Sequence, residues 1–113
     1  MSEILHQLKK GVTTLIVLDV LDKGTLYGYG LRREVHERTK GTFQFSEGAL
    51  YPLLHSLERK GWVKASRRQV VGRWRHYYEM TPPGRRALTG LRREWKFLVK
   101  SLNRLVARRR RSG

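Results

Sequence analysis

The chain has no cysteine, which excludes disulfides, thiolate metal sites and cysteine nucleophiles together and suits a reducing compartment. Acidic residues are scarce: nine Asp and Glu stand against 25 Lys and Arg, a formal net charge of +16 over 113 residues. Long apolar runs are missing too. The longest, Leu15-Ile16-Val17-Leu18, stops at Asp19, far short of the ~18–20 residues needed to span a bilayer. Met1-Ser2-Glu3-Ile4 is not a basic leader followed by an apolar stretch, so no secretion signal is expected and a cytoplasmic location is. His6, His36, His55 and His76 show no i,i+4 pairing and no carboxylates at ligand spacing. No glycine-rich phosphate loop links a strand to a helix, and no nucleophile sits beside a base. These gaps argue against an enzyme, a metal site or a bound cofactor.

What is abundant is positive charge. Charge of this density costs self-repulsion, and its commonest use is to meet a polyanion: DNA, RNA or an anionic membrane surface. A chain of this size buries roughly 60–70% of its unfolded surface, enough for one modest core. The hydrophobic fraction is 39%, low for a free-standing globule, which leaves room for a partner subunit to complete the apolar surface.

Periodicity gives the element order. From Glu3 to about Asp22 the pattern is helical: Leu5, Leu8, Val12 and Leu15 share a face, and the half after Gly11 is apolar nearly all round. A second helix is expected from Tyr27-Gly28 to about Lys40, with Leu31 and Val35 inward. A third starts at the N-cap Ser46 with Glu47 in its first turn. Leu50, Leu53, Leu54 and Leu57 form its apolar stripe, and Pro52 deletes one of its hydrogen bonds. All three end on a lysine-glycine pair, at Gly24, Gly41 and Gly61. After Gly61 the period becomes two, predicting strands over 62–67 and 74–80 with a hairpin loop over 68–73. Tyr78 and Met80 are expected in the core and Trp74 at the hairpin base. Thr81-Pro82 opens a last helix, expected to reach about Arg108. The fold class is mainly α (α+β): a winged helix-turn-helix of three compact helices, a two-stranded β-wing and a long C-terminal helix. Its expected parts are a DNA-binding domain over 1–80, a dimerisation helix over 81–108 and a frayed basic tail over 109–113.

Three runs carry a family resemblance over residues 12–88. They are Gly28-Tyr29-Gly30-Leu31, then Ser46 to Leu54 with Leu57-Glu58 and Gly61, and then His76 to Thr81 with Gly84-Arg85 and Ala87-Leu88. In order and spacing the chain resembles PadR-type transcriptional regulators, of the shorter subgroup with a single C-terminal helix. The family usually has proline where this chain has Glu47 and threonine where it has Ala49, so its contact pattern is not carried over whole. The resemblance implies a homodimeric regulator, by family default a repressor, on an inverted-repeat promoter site. It also implies a last helix that pairs two subunits, some members holding flat aromatic compounds between them.

With the leucine stripe inward, ~100° per residue puts Gly48, Pro52, His55 and Arg59 on the opposite face of the third helix, flanked by Tyr51 and Ser56. This face is the one for a major groove. Small residues at 48 and 49 let the helix N-terminus approach a phosphate. Between Glu58 and Glu79 come Arg59, Lys60, Lys64, Arg67, Arg68, Arg73 and Arg75 with no acidic residue, a charge run suited to a wing beside phosphates and the minor groove. The candidate DNA contacts are therefore Ser46, Gly48, Tyr51, His55, Arg59, Lys64, Arg68, Arg73 and Arg75. Leu88, Leu91, Trp95, Leu98, Leu102 and Leu105 alternate spacings of three and four, an a/d seam most simply covered by its twin. Leu5 and Leu8 are expected to join that interface. Trp95 is the one bulky aromatic in it and the candidate contact for a small aromatic effector. A non-specific nucleoid-type or RNA-associated protein shares the charge but has little use for an ordered seam and wing. A membrane-surface role is disfavoured by the narrowness of the apolar stripe.

Overall fold

The computed structural model describes residues 12–111, with side chains through 107. Four helices and three strands follow in the order α1 (Thr13–Leu21), β1 (Leu26–Tyr27), α2 (Gly28–Arg38), α3 (Glu47–Arg59), β2 (Val63–Val70), β3 (Arg73–Met80) and α4 (Pro82–Arg111). This is an α+β winged helix with a long terminal helix, the class expected. The positions Leu5 and Leu8 lie outside the described residues.

The core is apolar throughout. Val17, Leu18, Val20 and Leu21 of α1 meet Leu31 and Val35 of α2, and Leu50, Leu54 and Leu57 of α3. Val63, Tyr78 and Met80 close it from the sheet, and no polar or charged residue is fully buried among the described residues. Leu53 is only partly buried against this cluster. Ser46 caps α3 as expected, its Oγ accepting from the Ala49 amide at 3.2 Å, and the helix passes Pro52 unbroken.

Three expectations for the wing are corrected. The sheet has three strands in the order β1-β3-β2 rather than two. The extra strand pairs Leu26 with Tyr78 and Tyr27 with Tyr77, tying the entry of α2 to the wing. The hairpin is also longer: β2 and β3 pair from Val63↔Met80 out to Val70↔Arg73. The expected loop over 68–73 therefore shrinks to Val71-Gly72, both at positive φ (51° and 75°), as a type I′ turn requires. Trp74, paired with Gln69 near this tip, is 59% exposed and does not pack the hairpin base.

The start of α4 is locked to the end of α3. Thr81 Oγ1 donates to the Gly61 carbonyl at 2.6 Å and accepts from the Gly84 amide at 3.1 Å. Gly84 is needed for that approach, because a Cβ there would lie 2.1 Å from the Trp62 carbonyl oxygen. The helix continues to Arg111, so the first three residues of the expected frayed tail are helical.

Candidate nucleic-acid interface

The N-terminal turns of α2 and α3 and the first half of β3 converge on a concavity of about 640 Å³. Of the predicted contacts, Tyr51, His55, Arg73 and Arg75 line it together. Its remaining wall includes Tyr27, Tyr29, Arg32, Glu47, Trp74 and His76. Sequence patterning singles out none of these six as a contact. Ser46, Gly48, Arg59, Lys64 and Arg68 lie outside the concavity. Ser46, Gly48 and Arg59 are exposed on α3, so the reading face Gly48, Pro52, His55 and Arg59 is open along its whole length.

Strand alternation sorts the wing charges. Arg68, Arg73, Arg75 and Tyr77 share the outer face, whereas Arg67, Trp74 and His76 share the face toward α3. The guanidiniums are not loose. Arg75 lies 4.6 Å over the Tyr27 ring, Arg68 4.8 Å over Tyr77 and Arg67 5.0 Å over Trp74. Tyr27 and Tyr77 themselves sit 5.7 Å apart across the β1-β3 pair. Such stacking holds an arginine's fork in place while leaving its charge for a phosphate. Lys64 pairs with Glu79 at 3.7 Å, which offsets its charge. Arg59 and Arg73 have no carboxylate partner among the described residues.

Tyr51 is more constrained than a free phosphate donor. It is half-buried with its hydroxyl against Gly28, where a Cβ would come within 2.3 Å of Oη. Buried Tyr78 behind it has its phenol pushed above the usual 10.0, first by desolvation and then by Tyr51 and Glu58, which keeps it neutral. Arg32 of α2 reaches α3, its Nη2 donating to Glu47 Oε1 at 3.5 Å.

The terminal helix divides in two. Leu88 is 1% exposed and Leu91 packs on the same cluster. The expectation that Leu88 faces a second subunit is corrected, because the chain's own core already covers it, whereas Leu91 is only partly buried. Beyond them Trp95, Leu98, Leu102 and Leu105 are 44–60% exposed. Trp95 also borders a second cavity, about 390 Å³, with Leu15, Ile16, Phe43 and Arg92. Arg92 is held by Asp19 of α1 and by Asp22 just after it, and the hydrogen bond to Asp19 keeps its guanidinium firmly protonated. No described helix is long and apolar enough to cross a membrane, and no cluster of potential metal ligands exists among the described residues.

The profile of the Transcriptional regulator PadR-like family matches residues 17–90. The chain is 32% identical over 98 residues to transcriptional regulator Rv3488 of Mycobacterium tuberculosis, covering 87% of this chain and 89% of that one. A PadR family transcription regulator from Clostridium difficile R20291 superposes with a TM-score of 0.75 at 30% identity, over 84% of this chain and 98% of that one. A transcriptional regulator from Clostridium thermocellum gives 0.80 at 26% identity, over 87% and 96%.

Proposed function

The chain belongs to the PadR-like family of transcriptional regulators, rather than to any enzyme family, and from that premise we propose that it acts as a homodimer that reads an inverted-repeat promoter duplex and represses transcription. One observation carries this reading: the open face of α3 and the basic edge of β3 border a single concavity, His55 on one side and Arg73 and Arg75 on the other. A helix in the major groove and a wing arginine at the adjacent backbone or minor groove would be served at once. The wing's outer face adds stacked, pre-oriented charge, and α3 supplies only His55 and Arg59 for base edges. Modest direct readout reinforced by phosphate contacts follows from that division.

The dimer reading rests on Trp95, Leu98, Leu102 and Leu105, apolar and exposed on a helix of 30 residues. Two such stripes laid together would bury them, and a two-fold protein suits a two-fold operator. Release by a small aromatic compound is part of the same proposal. Trp95 supplies the stacking ring, and the cavity beside it has the size of a small-ligand site.

A fluorescence-anisotropy titration tests the function. Labelled duplex from upstream of the gene, random duplex and single-stranded RNA are compared at about 150 mM salt, where non-specific affinity is weak. Tight binding to the upstream duplex alone, at two chains per site, supports the regulator. Equal binding to all three would mean a basic protein that does not read sequence.

A further inference from the structure

We propose that Arg32 is a second-line phosphate site for the DNA backbone, held in reserve by Glu47, which occupies it as a built-in competing anion. The inference rests on the DNA-binding reading above and assigns a role that neither residue's position in sequence suggests.

Four observations converge. Arg32 and Glu47 both line the concavity shared by His55, Arg73 and Arg75. Arg32 is held from behind: its side chain is only 26% exposed, its guanidinium lies 5.7 Å from the Tyr29 ring centroid, and its Nε is buried with no hydrogen-bond partner. Its one carboxylate contact among the described residues is long, 3.5 Å from Nη2 to Oε1. Glu47, in contrast, is 71% exposed on its side chain, so little holds it there.

An arginine fork has five N–H donors and matches the oxygens of a phosphate in pairs. Here one donor is used, on a monoanion that water already solvates. A phosphate entering between α2 and the wing would meet a pre-positioned guanidinium whose charge Glu47 already offsets, and removing that carboxylate would open the fork to it. Among the described residues Glu47 is also the only carboxylate lining this basic concavity, so it meets an approaching backbone head-on. The consequence is a lowered general affinity for duplex: a site competent for one more phosphate contact has its charge cancelled beforehand.

The test uses the full chain and labelled upstream duplex, with affinity followed from about 100 to 300 mM salt. Glu47→Gln keeps the shape and removes the charge. We expect binding roughly three- to tenfold tighter and a log–log salt slope steeper by about one, the signature of one added phosphate contact. Glu34→Gln is the control. It removes an equal charge from α2, paired with Arg38 at 3.1 Å, without lining the concavity, and should leave the slope unchanged. Arg32→Gln combined with Glu47→Gln should cancel the gain, and circular dichroism verifies that each variant is folded.

Several outcomes would overturn the proposal. They are a Glu47→Gln gain no larger than that of Glu34→Gln, an unchanged slope, or a gain that survives loss of Arg32. Weaker binding of the upstream duplex by Glu47→Gln would also overturn it, showing that the carboxylate accepts from a base edge. Absence of duplex binding by the wild-type chain would remove the DNA-binding reading and this site with it, an outcome distinct from the others.

Discussion

Arg92 of α4 and Asp19 of α1 are joined by a hydrogen bond of 2.9 Å from Nε to Oδ1, across 73 positions of sequence. Asp19 is the residue that interrupts the apolar run of α1, and this contact gives the interruption its reason. The same guanidinium reaches Asp22 at 3.4 Å, and Arg85, earlier on α4, meets Asp22 at 2.9 Å. Two arginines of the terminal helix thus meet two aspartates at the end of α1. All four groups are partly exposed, so the pairing is worth only about 1 kcal/mol. A double-mutant cycle of Asp19→Asn and Arg92→Gln in urea should return a coupling of about that size, shrinking at high salt. Additive losses would mean that the pair does not act as a unit.

Two glycines of α4 respond in opposite directions to alanine. Gly84→Ala drives a methyl into the Trp62 carbonyl and should cost about 1–3 kcal/mol or more, through overpacking. A methyl at Gly90 would have nothing within 4 Å, so Gly90→Ala should gain up to about 1 kcal/mol of helix propensity. Thermal denaturation reads both signs.

Two leucines of the same heptad pattern separate the core from the exposed stripe. Leu88→Glu buries a charge in the core and should abolish folding, whereas Leu98→Glu should keep the circular-dichroism spectrum. Leu98 is 49% exposed. If the stripe pairs two copies, Leu98→Glu yields monomers in sedimentation velocity; dimers surviving it place the interface elsewhere.

At the wing tip, Val71 is a β-branched residue at φ 51°, 95% exposed. That conformation costs a non-glycine residue about 1–2 kcal/mol, and Val71→Asn should recover about 1 kcal/mol, a rise of several degrees in Tm. Arg73→Ala, two positions on, should leave stability unchanged and flatten the salt slope of duplex binding by about one. Arg75→Ala should do the same and also loosen the wing, because it loses the Tyr27 stack. An unchanged slope in both variants would take the wing out of the interface.

The helices are legible in the sequence because their signals are local and redundant: the leucine stripe of α3, the Ser46 cap and the Lys-Gly stops each say the same thing. The two-residue strand Leu26–Tyr27 is too short to show alternation, and only its pairing with Tyr77 and Tyr78 reveals it. The hairpin's true length is hidden because Val71-Gly72 is not an Asn-Gly or Asp-Gly turn, while Gln69 and Val70 lack the alternation that marks a strand. The seam over Leu88–Leu105 is plainly apolar in sequence. Spacing, however, does not say which heptads the chain's own core covers, as it does Leu88. Of the candidate interface, the basic wing is visible as a run without acids. The stacked pairs and the Arg32–Glu47 contact join residues with no sequence relation, and nothing short of the fold places them.

Hydroxyl-radical footprinting of the promoter duplex, at about 150 mM salt with the full chain, is the most direct test of a two-fold protein reading a specific site. The expected result is two protected patches related by a dyad, on one face of the duplex, separated by about one helical turn or a whole multiple of it. Within each half, the protected stretch of backbone should include a flank on the wing side that Arg73→Ala removes. Uniform protection that spreads along the duplex with added protein, or a single patch without a symmetric mate, would contradict it.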